Sequence, residues 1–546
     1  MSVKHRLSAL LLAGVLTLSS APMAKAAAYP DAEGSWAAEV IEKATQYGLM
    51  TGYPDGRFGV GEYMTRAEFV TVLCRMFGWE EAGQADRTGL SDVSGHWAEG
   101  YIYAAARQGA VDEAGAFRPG DYISRAEMAE MIVRALGYDR LAQTLRGSDL
   151  PFSDVTEDKG YVAIAYDLGI ITGVEENGTL KFLPTFSAPR EQCAAMLVRC
   201  YERYTAGIDW LHGFYAASSY SQIDLADSLD GLSVGWARLQ YLDGAPAVNQ
   251  TTAGGNSWVK PQGAELVTGR MAEQSIPCNL CVFSSSSTFA ALVTAGQQTE
   301  AVNRLVSAAM DYAGLTIDFE GLGTSQREEF TAFMTALRAA LPDGKTLAVC
   351  VQPDTWYGGF DYRALGEVCD KVILMAHDYQ WASIPDYYVG TDNTYCPVTP
   401  FRQVYSALKA VTDPQTGVQD RSKLALAVSF NTTGFHVDEN GLLLDTTFYH
   451  PASATIAKRL GQEGSVRVWD EASHNPYLLY TTEEGEHYKL WYEDAQSITD
   501  KVQLANMFGV TGLSVWRLGL IPTEEDLPYY DVWSALSDLR RGPEEG

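Results

Sequence analysis

The sequence predicts a multidomain chain: a helical N-terminal part made of three repeats, then an α/β TIM-type (β/α)8 barrel carrying a small inserted subdomain. Three observations lead there. Helical segments recur between residues 29 and 203 with a period of about sixty residues. From residue 209 onward, eight apolar strand-like runs alternate with helical patterns. At 546 residues, the chain is too long for one ordinary domain.

The first element is a leader. Lys4, His5 and Arg6 precede an apolar stretch from Leu7 to Leu18, and Ala24-Lys25-Ala26 comes next as a cleavage site. That order of charged, apolar and small residues is expected of a secretory signal peptide over 1–26. Its apolar core is too short to span a bilayer, and no later segment is long and apolar enough, so no membrane span is expected.

The repeats come next, at 29–78, 90–140 and 151–204. Gly34-Ser35-Trp36-Ala37-Ala38 and Gly95-His96-Trp97-Ala98-Glu99 each open an amphipathic helix that runs into a glycine-bearing turn. A second helix begins at Thr65 in the first copy and at Ser124 in the second. Glu68 and Glu127, three residues later, complete capping boxes. Phe69, Val72, Leu73 and Met76, and then Met128, Met131, Ile132 and Leu136, recur at helical spacing. The third copy is degenerate. Asp154 to Tyr166 is expected to supply its first helix, with Tyr161 near the Trp position, and Ala188-Pro189-Arg190-Glu191 replaces the capped start of the second.

This triplet resembles S-layer homology (SLH) domains. The resemblance implies an all-α three-fold bundle that anchors an exported protein to acidic cell-wall polysaccharide. By motif position it implies polymer contacts from Arg66, Arg125 and Arg190, with Trp36 and Trp97 lining the grooves. An arginine fork suits a carboxylate ligand, although each arginine could instead pair within its own repeat. Only Tyr204 to Ile208 separates the repeats from the first strand-like run, so a stiff junction is expected.

The barrel strands are expected at Leu211–Ala216, Leu232–Trp236, Asn279–Ser284, Leu315–Glu320, Thr346–Gln352, Lys371–Ala376, Leu424–Phe430 and Gly512–Trp516, within a domain spanning 209–540. The segment from about 436 to 494 is too long for one loop and shows strand-like alternation, so it is expected to form the inserted subdomain.

Charge narrows the partners. A formal net charge of −29 argues against nucleic acid and anionic membrane, which need a basic footprint. The 12 Trp and 30 Tyr suit carbohydrate handling. The eight cysteines form no regular framework, and Cys278-Asn279-Leu280-Cys281 has no second pair at zinc spacing, so buried thiols are favoured over a metal site. No motif calls for an organic cofactor.

The chemistry concentrates in Ala313 to Leu322, where a β-branched run ends in Asp318 and Glu320. Two residues apart on a strand, these carboxylates share a face, and at the C-terminal end of a barrel strand that face is the mouth. Neighbouring carboxylates do not both ionise cheaply, so one becomes an acid usable near neutral pH, as glycosidases require. The spacing alone is not specific, because Asp31-Ala32-Glu33 has it in a turn.

Two further motifs fall at strand ends of the same barrel: Leu374-Met375-Ala376-His377-Asp378-Tyr379-Gln380-Trp381, and Gly512 to Gly519 with Trp516. With Leu211 to Tyr220 and Val234 to Arg238, they resemble glycoside hydrolase family 18, closest to its spore-cortex and peptidoglycan N-acetylglucosaminidases. The resemblance implies that Glu320 is the general acid and then the base, while the substrate's own acetamido oxygen attacks the anomeric carbon. Asp318 would hold the acetamido N–H, Asp378 the same group or sugar hydroxyls, and Trp516 would floor the site. His377, Met375 and Tyr379 would line it. The implied substrate is an amino-sugar glycan, peptidoglycan before chitin-type polymers.

Ala313 and Thr316 stand where the larger chitinases carry acidic residues, and His377 stands where the family usually has Tyr. His377 could otherwise be structural, and Trp516 a core plug. A non-catalytic carbohydrate-binding or surface-layer structural protein on the same barrel is the alternative.

Overall fold

The computed structural model describes residues 29–83 and 88–541, so the leader expected over 1–26 lies outside the described residues. The chain divides into two compact units. The first joins the described residues up to Met128 with Thr185–Val198, and the second joins Ala129–Pro184 with the described residues from Arg199 onward.

In the N-terminal region the helices are α1 (Ala38–Gln46), α2 (Arg66–Met76), α3 (Glu99–Arg107), α4 (Arg125–Ala135), α5 (Asp139–Thr144), α6 (Lys159–Asp167) and α7 (Arg190–Tyr204). Both expected capping boxes form. The Thr65 hydroxyl accepts the Glu68 N–H at 3.3 Å while the Glu68 carboxylate accepts the Thr65 N–H at 2.7 Å. Ser124 and Glu127 make the same exchange at 3.3 and 2.9 Å.

Two expectations need correcting. The region is not all helix: Gly89–Leu90 pairs in parallel with Ala114–Gly115, and Val174–Glu176 forms a hairpin with Thr179–Lys181. The first helix of the third copy starts at Lys159, not Asp154, because the Asp154 carboxylate accepts the N–H groups of Phe182 and Leu183 at 2.9 and 2.8 Å. Asp92 clamps Phe117 and Arg118 in the same way, and Asp31 clamps Phe58, Gly59 and Val60. The second clamped residue is left-handed in every copy, with φ of 88° at Gly59 and 60° at Arg118 and Leu183. The aspartate clamp compensates for that strain where the residue is not glycine.

In the first unit, the starts of α2, α4 and α7 close a ring. The Arg66 N–H donates to Asp121 O at 2.9 Å, that of Arg125 to Phe186 O at 3.0 Å, and that of Arg190 to Glu62 O at 2.8 Å. The side chains run the same way round: Arg66 pairs with Glu127, Arg125 donates to Gln192 at 3.1 Å, and Arg190 lies 3.7 Å from Glu68. These three contacts each join one repeat to the next.

The second unit holds the barrel. Eight parallel strands close on themselves in sequence order: β1 (Trp210–Tyr215), β2 (Gly231–Leu242), β3 (Cys278–Ser285), β4 (Gly314–Glu320), β5 (Thr346–Val351), β6 (Lys371–Leu374), β7 (Leu424–Ser429) and β8 (Gly512–Trp516), with β8 pairing β1. All eight coincide with expected strands to within a few residues, except that β2 extends to Leu242. Their inward side chains, among them Phe214, Cys281, Cys350, Ile373 and Ala427, fill the interior as a packed core. All eight cysteines are buried free thiols.

After β7 the chain forms a four-stranded antiparallel sheet from Thr433–Val437, Val466–Asp470, Asn475–Thr481 and His487–Trp491, with a helix at Ser453–Leu460. Its core of Phe435, Leu443 and Trp491 packs against Ile384 and Cys396 from the segment after β6. Within this same unit the barrel also carries part of the repeat region. The Tyr405 hydroxyl donates to Asp167 at 2.5 Å, Lys409 pairs with Asp167 at 2.8 Å, and the rings of Tyr138 and Phe401 lie 5.1 Å apart.

Candidate active site

The site stands at the C-terminal ends of β4 to β8. Glu320 is the last residue of β4 and Asp318 shares its face. Asp318 is 2% exposed and its Oδ1 has no hydrogen-bond partner among the described residues. Burial raises the carboxyl well above the usual aspartate range, and the charge of Glu320 pushes it further. Burial also raises Glu320; His377 counters that rise and Asp378 adds to it. Both carboxyls thus hold their protons more tightly than free carboxyls do.

Below it the interior is polar but uncharged. The His212 ring bonds Ser514 and Ser233, each at 2.8 Å, and Ser233 Oγ meets Thr316 Oγ1 at 2.7 Å. Burial, with Lys371 nearby, lowers His212 to about 3, so the ring stays neutral. Thr316 therefore takes its place in a neutral chain of hydrogen bonds beneath Asp318.

Asp378 follows β6, left-handed at φ 60°. Its Oδ1 accepts the Asn431 amide at 2.8 Å and the Ser429 hydroxyl at 3.0 Å, and its Oδ2 lies 3.1 Å from His377 Nδ1. Burial opposes its charge, but His377 and these two donors outweigh burial and hold the carboxyl at about 2. The cleft thus sets an ionised carboxylate, Asp378, beside a pair whose affinity for protons is raised. Trp516 ends β8, its ring 5.2 Å from Phe214 and 6.2 Å from Trp258, and Trp258 stacks on Phe283 at 4.9 Å. Met375 packs on the barrel core and the Tyr379 N–H donates to Val398 O at 2.9 Å.

Asp318, Glu320, His377, Asp378, Tyr379, Met375 and Trp516 thus come from the ends of three strands of one barrel. Sequence reading missed Ser429 and Asn431, which hold Asp378. Their signal was only polar residues at the end of an otherwise apolar strand. Of the anchor residues, Arg66 and Arg190 are buried, Arg125 is half-buried, and Trp36 and Trp97 are exposed.

Residues 283–520 match the pattern of Glycosyl hydrolases family 18, and residues 28–70, 89–129 and 151–181 match the S-layer homology domain. The chain carries a family 18 glycosyl hydrolase domain preceded by three S-layer homology repeats. It is 26% identical over 267 residues to the cortical fragment-lytic enzyme of Bacillus anthracis, covering 46% of this chain and 56% of that protein. It is 38% identical over 130 residues to a cellulosome-anchoring protein of Acetivibrio thermocellus, covering 22% of this chain and 28% of that protein. The chain spans about half the length of the cortical fragment-lytic relatives it matches. A solved spore cortex-lytic enzyme of Bacillus cereus is similar at 18% identity and a TM-score of 0.47, over 68% of this chain and 80% of that one.

Proposed function

We propose that this is a cell-wall-anchored glycosidase that hydrolyses β-1,4 bonds after an N-acetylated amino sugar, with retention and with help from the substrate's own acetamido group. The reading is carried by one observation: Asp318 and Glu320 share a face at the barrel mouth with raised affinity for protons, beside an Asp378 held ionised.

Glu320 gives its proton to the glycosidic oxygen as the C1–O bond breaks, and the acetamido oxygen closes on C1. Asp318 accepts the acetamido N–H and steadies the positive charge of the resulting ring. Asp378, fixed by Ser429 and Asn431, takes the sugar's polar groups, and Trp516 meets its apolar face. Water then attacks C1, giving its proton to Glu320, and the original configuration returns.

Peptidoglycan is the preferred substrate, chitin-type polymers the second. The repeats, bounded at 29–78, 90–140 and 151–204, are read as the wall anchor, delivered by the leader at 1–26 to the surface. Exposed Trp36 and Trp97, together with Arg66, Arg125 and Arg190, would take an acidic wall polysaccharide. The relatives' names, a cortical fragment-lytic enzyme and an anchoring protein, support both halves of this reading.

The test is mass spectrometry of products from purified peptidoglycan and from N-acetylglucosamine oligomers. New reducing ends at N-acetylglucosamine are expected, and Glu320→Gln should lower their rate by about a thousandfold with the fold intact. Unchanged turnover would overturn the mechanism. Binding without product from either glycan would assign the barrel to carbohydrate binding alone.

A further inference from the structure

We propose that Trp356, backed by Tyr379, forms a further sugar-binding position on the rim of the cleft. It would take the pyranose ring adjacent in the glycan to the one held at Asp318 and Asp378. The inference rests on reading the barrel as acting on an amino-sugar glycan.

Trp356 lies in the segment after β5, and that segment is tied to the catalytic strand. The Gly321 N–H, directly after Glu320, donates to Gln352 Oε1 at 2.6 Å, and the Trp356 N–H closes a turn onto Pro353 O at 3.1 Å. Across the rim, the Trp356 ring packs on that of Tyr379 with centroids 4.3 Å apart, and Tyr379 follows Asp378 in sequence. Trp356 therefore stands between the end of β4 and the loop that carries Asp378.

A tryptophan fixed from behind yet 47% exposed is a large apolar surface left facing water. A pyranose ring matches it, since its axial C–H groups form an apolar face while its hydroxyls project from the rim. Polar capacity lies alongside: the OH of Tyr379, whose ring meets Trp356, is buried without a hydrogen-bond partner among the described residues. Further along the segment after β6, Trp381 and Tyr388, 5.3 Å apart, pack on the core of the inserted sheet, and Tyr387, 4.7 Å from Tyr388, is exposed.

The experiment is calorimetric binding of N-acetylglucosamine oligomers of increasing length to the full chain bearing Glu320→Gln, with and without Trp356→Ala. In the parent, affinity should rise in steps with length. Trp356→Ala should remove one step, about tenfold, leaving the monosaccharide's affinity unchanged, and Trp356→Phe should restore most of it. The proposal is overturned if Trp356→Ala follows the parent at every length, if it weakens all lengths equally, or if no oligomer binds the parent. Loss of the step in a protein whose wild type releases no product would overturn the catalytic reading and leave this position standing.

Discussion

Asp318 and Asp378 are carboxylates of one cleft whose surroundings push them in opposite directions. Asp378 has two neutral donors and His377 within hydrogen-bond reach, whereas Asp318 is buried over an uncharged interior with Glu320 beside it. For Asp318 the folded state binds the proton more tightly than the unfolded chain. Its contribution is therefore most favourable below the unfolded value of 3.8 and is lost as pH rises towards the raised folded value. Asp318→Asn should accordingly stabilise the protein at neutral pH, with the gain fading near pH 4. Each tenfold difference in proton affinity between the folded and unfolded chain corresponds to about 1.4 kcal/mol of that gain. Thermal melts of both proteins across that range check it, and a difference independent of pH would count against it. Activity should fall in the same variant, because a neutral amide steadies a cationic ring less well. This much of the site was legible, since alternation along β4 puts the pair on one face whatever the neighbours are. Trp356 was not legible, because a lone aromatic in a loop follows no period.

At the scale of elements, the capping glutamates of α2 and α4 do two jobs. Glu127 caps its own helix and also neutralises Arg66 from the preceding repeat, while Gln192 stands at the equivalent place in the third repeat without a charge. Glu127→Gln keeps the capping geometry and removes only the charge. It should destabilise the first unit by about 2 kcal/mol, because it removes the carboxylate charge that faces the buried Arg66 guanidinium. Urea unfolding measures this, and a change below about 0.5 kcal/mol, the size of an ordinary surface substitution, would refute it. The capping boxes could be read from sequence because both partners lie within one turn. The partner of Arg66 lies far along the chain, and nothing local signals it. Likewise Asn475–Thr481 was missed as a strand because Asn475-Pro476 reads as a turn, whereas its neighbours in the sheet supply the pairing that a local pattern lacks.

For the whole molecule, the junction after Tyr204 is not a boundary of packing. Residues 129–184 belong to the same compact unit as the barrel, and Asp167 is held there by Tyr405 and Lys409. Tyr405→Phe should lower the stability of this unit by about 1–2 kcal/mol, read by calorimetry as a shift of the barrel's own transition. If that transition does not move, the contact carries no stability. Tyr405 and Phe401 were legible only as the apolar face of a helix; what that face meets depends on a repeat more than two hundred residues earlier. The ring made by the starts of α2, α4 and α7 bears on how such a chain can change length. A stacked solenoid tolerates gain or loss of a single module, since each touches only its neighbours. A closed cycle has no end module to drop and no gap to receive a new one: removing one copy orphans a donor on one side and an acceptor on the other. Copy number in this arrangement should therefore change in threes, with whole rings gained or lost together.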